Sequence, residues 1–139
     1  MKIILNIIIF TFFFSQPIFA KNQYLEEGIN FFKKKEFEKA KFKLEKNIVY
    51  NPKSEQSYLY LSKIFKNLDK KDLQEQHLNT VILLNPKNEE ATLSLAKLKL
   101  ETSDYKKSKE LNDRLKSFCS NLCIESDTLK IEINNLSKN

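Results

Sequence analysis

Few side chains in this 139-residue chain could do chemistry: one histidine, His77, and two cysteines, Cys119 and Cys123. His77 stands in "LQEQHLNTV", without a cysteine or carboxylate cluster at metal-ligand spacing. A general base also has to be held within hydrogen-bond reach of a defined substrate proton, and no neighbour in the sequence arranges that. There is no glycine-rich phosphate loop, no serine in a nucleophile elbow and no metal-binding motif. The chain therefore reads as a non-enzyme without a cofactor, and His77 as a surface or boundary residue.

The cysteines, in "FCSNLC", lie four residues apart, about one helical turn. A disulfide tolerates that separation only where the helix bends or ends, and Ser120 and Asn121 between them can provide the end. In an exported chain the pair can oxidise, which would clip a terminal helix to the segment before it, although so small a loop removes little unfolded-state entropy. Two reduced thiols facing the core are equally consistent with the residues. The spacing is not the two-residue spacing of a thioredoxin-like redox site.

Seven lysines lie between Lys33 and Lys46, against three glutamates. Such a run first suggests nucleic acid, but export argues against that partner, and lysines on the outer faces of amphipathic helices are usually solvated. Export is read from the opening, "MKIILNIIIFTFFFSQPIFAKNQ": Lys2, an almost wholly apolar Ile3 to Phe14, a more polar stretch, and a small residue, Ala20. That order describes a secretory signal peptide over residues 1–20, cleaved before Lys21. The alternative is an uncleaved membrane anchor over residues 3–20, nearly the length a bilayer requires. Either way the remainder is placed outside the cytoplasm, periplasmic or secreted. Lys2 is the only charged residue of the leader, so the remainder carries 23 basic and 18 acidic residues, a net +5, and is long enough for one domain with a core of its own.

What positions these side chains is a period. "NIVYNPKS" and "VILLNPKN" nearly repeat each other, and Pro52 and Pro86 lie 34 residues apart. Stepping by 34 from Gly28 reaches Ser62 and then Ala96, all small, amid apolar residues at helical spacing: Tyr24 and Phe31; Tyr58, Leu61 and Phe65; Ala91, Leu95 and Leu98. Each segment is followed by a polar break and a second periodic segment carrying Phe37, Ala40 and Leu44; Leu73, Leu78 and Val81; or Tyr105, Leu111 and Leu115. Proline cannot continue a helix interior, so Pro52 and Pro86 separate the units. The prediction is an all-α chain of three helix-turn-helix units over 21–54, 55–88 and 89–122. A helix and tail over 123–139 follow, with Ser126 as its cap and Leu129, Ile133 and Leu136 on one face.

This pattern resembles the tetratricopeptide repeat family. Tyr24, Gly28, Phe31, Phe37, Ala40, Leu44 and Pro52 match its 34-residue motif in the first unit. The later units depart from it at Lys71, Gln74, Thr92, Lys99, Asn112 and Ser120. The resemblance implies a right-handed superhelix of three repeats closed by the C-terminal helix, whose first helices line a concave groove for a peptide or helix of another protein. Carried residue by residue, the groove positions are Leu25, Ile29 and Phe32, then Leu59, Lys63 and Lys66, then Leu93, Lys97 and Leu100. Leu25, Leu59 and Leu93 form either an apolar row in the groove or a widening of the core stripe. The lysines imply an acidic or amphipathic partner segment. The clamp by which some family members hold a chaperone tail is absent, since Leu25, Ile29, Glu90 and Ser94 occupy its places. The function implied is an adaptor or scaffold of the cell envelope. The alternative is a membrane-anchored assembly factor whose basic surface meets lipid.

Overall fold

The computed structural model describes residues 17–137. Most of the expected leader therefore lies outside the described residues, apart from Pro17–Ala20 in the first turn of the first helix. Seven helices follow one another: α1 Pro17–Lys33, α2 Phe37–Tyr50, α3 Glu55–Asn67, α4 Lys71–Leu84, α5 Glu89–Glu101, α6 Tyr105–Phe118 and α7 Cys123–Leu136. The described residues contain no strand. The first residues of α2, α4 and α6 fall 34 apart, as do those of α3, α5 and α7.

The turns inside the helix pairs keep the same period. Lys35, Asp69 and Ser103 take positive φ (60°, 51° and 61°), so each pair turns through one left-handed residue even though none is glycine. The following amide reaches back five residues in each case, Glu36 N–H to Phe31 O, Lys70 N–H to Phe65 O and Asp104 N–H to Lys99 O, closing the end of the first helix. Between pairs, α2 and α4 stop at Asn51 and Asn85, whose φ of −138° and −137° has left the helical range, which a following proline disfavours. Asn88 then opens α5 by accepting from the Ala91 N–H at 2.7 Å, and Asp104 opens α6 by accepting from Lys107 N–H at 3.1 Å.

The chain divides into two compact units, residues up to Ser57 and residues from Tyr58 onward. In the first, α1 packs on α2 around Ala40 and Leu44, both fully buried. Gly28 makes that approach possible, because a Cβ there would come within 2.7 Å of Leu44 Cγ. Asn47 is buried too, and its amide donates to the hydroxyls of Ser54 and Ser57 at 2.9 and 2.7 Å.

In the second unit a core runs through Leu78, Val81, Leu95, Leu98, Leu111, Leu115, Leu129 and Ile133. The departures from the repeat motif are accommodated there by polar partners. Buried Asn112 donates to Ser126 O at 3.0 Å and accepts from the Ser126 hydroxyl at 2.9 Å, and Lys99 pairs with Glu75 at 2.6 Å. Two expectations are corrected. Ser126 does not cap α7, which begins three residues earlier at Cys123, and its side chain is buried against Asn112 instead. Leu136 and Leu73, expected on packing faces, are exposed, because Ser126 and Gln74 take part in the buried stripes of α7 and α4.

Candidate functional site

α3 and α5 present the positions expected to hold a ligand within the second unit. Leu59 and Leu93 are buried in its core, at 9% and 7% exposure, so at these two places the leucine row widens the core stripe. One turn along, Lys63 reaches across to Glu90 of α5 at 2.7 Å, with its ammonium 4.8 Å from the centre of the Tyr60 ring. It is therefore engaged in an ion pair, unlike the other two lysines named for the groove. Lys66 and Lys97 are exposed and make no ion pair among the described residues. Leu100 is half-buried at the edge of the core. In the first unit, Leu25, Ile29 and Phe32 are half-buried on α1, with the Phe32 ring 5.8 Å from Phe37.

A cleft opens where α5 meets the segment before α7, lined by Glu90, Leu93 and Ser94 on one side and Asn121 and Leu122 on the other. Its end is built by Glu89, the first residue of α5. The carboxylate accepts from Ser120 N–H (2.8 Å), Ser120 Oγ (2.7 Å), Asn121 N–H (2.9 Å) and Leu122 N–H (2.8 Å). Four donors to one carboxylate favour its charged form, and the Ser120 hydroxyl with the Leu122 amide chiefly hold its pKa down at about 2. The three amides come from consecutive residues enclosed by Cys119 and Cys123, whose sulfurs are bonded to each other. α6 ends at Phe118, and that break brings the two Cα atoms to 5.4 Å. The disulfide and Glu89 thus hold the start of α7 from two sides.

His77 is enclosed rather than poised for chemistry. Its ring stacks on Phe65 with centroids 5.2 Å apart and lies 5.9 Å from Tyr58. Nδ1 is buried with no hydrogen-bond partner among the described residues, and burial lowers its pKa. No group of three or more His, Cys, Asp or Glu side chains among the described residues could hold a metal ion.

Sequence reasoning missed Glu89 and two exposed isoleucines of α7, Ile124 and Ile131. The isoleucines had a signal, since one further step of 34 from Glu90 and Lys97 lands on them. Glu89 had none, because its partners lie 31 to 33 residues away.

No family model matches the chain, and no curated protein does. Solved structures do. The TPR2B domain of yeast Sti1, in its complex with pHsp70, superimposes with a TM-score of 0.78 at 16% identity, covering 85% of this chain and 98% of that one. The type III secretion translocator chaperone SycD of Yersinia enterocolitica gives 0.78 at 12%, over 85% and 86%. The TPR domain of Arabidopsis OM64 gives 0.72 at 21%, over 88% and 98%. The fold is that of a tetratricopeptide-repeat domain: all-helical, built of helix-turn-helix units in phase.

Proposed function

We propose that the chain is a non-catalytic interaction adaptor of the cell envelope, which holds an acidic, amphipathic segment of another protein against the exposed side of its first helices. The observation that carries this reading is the pair Lys66 and Lys97, two exposed cations on α3 and α5 within one compact unit. Leu100 supplies an apolar edge beside them. The fold lends support, since SycD is known in complex with a peptide of the translocator YopD and the Sti1 domain in complex with pHsp70. The envelope location rests on Lys2 and the apolar run Ile3 to Phe14. The basic run of the first unit is a weaker docking surface than its composition suggests, because Lys39, Lys41 and Lys43 are paired with Glu36, Glu38 and Glu27.

The test uses a library of short acidic amphipathic peptides with stopped-flow association. Steering by exposed charge acts on the encounter, so K66E/K97E should slow association on the order of tenfold and flatten its salt dependence. K35E/K39E is the control. Equal losses from both pairs would overturn the assignment in favour of a diffuse basic surface meeting lipid.

A further inference from the structure

α7 occupies the place of a first helix in a fourth unit, since Cys123 follows Glu89 by the same 34 residues that separate Glu89 from Glu55. It packs on α6 and α5, burying Ser126, Leu129 and Ile133, which correspond to Thr92, Leu95 and Lys99 of α5. No second helix follows it among the described residues. The positions that α5 buries as Ala91, Ala96 and Leu98 read Glu125, Lys130 and Glu132 in α7, and all three are exposed. Charge at those places stops further stacking and keeps the free side solvated.

If α7 were only a cap, its other exposed face would be expected to be polar as well. It is not. Ile124 and Ile131 are 80% and 62% exposed, seven residues apart and so on one face. By register they continue Glu90 and Lys97 of α5, the face that carries the proposed ligand site, and not the face that would stack. Between them on the same side lie Asp127, held by Lys116 at 2.7 Å, and Thr128, turned back to the Ile124 carbonyl at 3.0 Å. Both polar neighbours are engaged within the chain, and the isoleucines are left as the unpartnered apolar groups. We infer that α7 is a wall of the docking surface: Ile124 and Ile131 take the apolar side of the partner segment whose acidic side meets Lys66 and Lys97. The occupant is an acidic amphipathic segment of another protein, on the grounds that one repeat register within one unit offers the exposed cation Lys97 on α5 and the exposed apolar Ile131 on α7. The inference rests on the adaptor reading and adds the apolar half of the site.

The test measures binding of the same peptide library to the full chain by fluorescence anisotropy. I124D/I131D should weaken the best binders at least tenfold, chiefly through faster dissociation, because apolar contacts form after encounter. Its melting temperature should stay unchanged, since both side chains are exposed. K130A/E132A, on the charged face, should bind as the parent does. Binding that depends on Lys66 and Lys97 but ignores the isoleucines would overturn the inference and leave the adaptor reading standing. Failure of every peptide to bind would remove both. A self-associated parent in sedimentation velocity that I124D/I131D dissociates would make a second copy the occupant and overturn it.

Discussion

Glu89 and His77 are each governed by what surrounds a single side chain, and they respond to acid for different reasons. The Glu89 carboxylate has its pKa lowered from 4.5 to about 2 by four donors that need its charge. Its contribution to stability is therefore complete above about pH 4.5 and is withdrawn as pH falls toward 2. E89Q should be less stable than the parent at pH 6, and the gap between the two in denaturant midpoint should narrow by pH 2.5. A constant gap would mean that the charge contributes nothing. Burial against Phe65 and Tyr58 disfavours the charged form of His77 and lowers its pKa, so the unfolded chain takes up a proton more readily than the folded one. Stability should fall as pH drops through 6.5, the unperturbed value. H77F, which keeps the ring and loses the titration, should show a shallower fall in melting temperature between pH 7 and 5.5. Parallel curves would contradict this.

At the scale of the helix pair, close approach depends on small residues at one repeating place, Gly28, Ser62 and Ala96. Ser62 turns its hydroxyl back to the Leu59 carbonyl at 2.7 Å, and the Ala96 carbonyl lies close enough to accept from Ser108 at 2.8 Å. Gly28 is the tightest case, because the buried Leu44 leaves no room for a Cβ. G28L should overpack α1 against α2 and cost about 1–3 kcal/mol, read as a lowered midpoint in urea. An unchanged midpoint would show that α1 shifts freely, and that the pair is held by something other than this contact.

For the molecule as a whole, the proposal of an exported adaptor turns on its first residues. The bond between Ala20 and Lys21 is the expected cut, and intact-mass measurement of the protein from the cell envelope should give a chain beginning at Lys21. A chain retaining residues 1–20 would favour the anchored alternative. Among the described residues no helix is long and apolar enough to cross a membrane, and the anchored alternative rests on the apolar composition of residues 3–20.

The sequence by itself determined the helices, their pairing and their phase, because these follow from local properties: apolar spacing along a helix, the fixed φ of Pro52 and Pro86, and the small residue at each close approach. Tertiary structure alone decided which charges remain available. Lys63 and Lys97 are the same residue at the same repeat position, yet Lys63 is paired because Glu90 stands 2.7 Å away on the neighbouring helix, a distance that no spacing along the chain encodes. The burial of Leu59 and Leu93, the turn of Ser126 inward to Asn112, and the capture of Ser120, Asn121 and Leu122 by Glu89 belong to the same class. Each depends on contacts between different elements of the chain, where periodicity tells which face is turned inward but not which partner it meets.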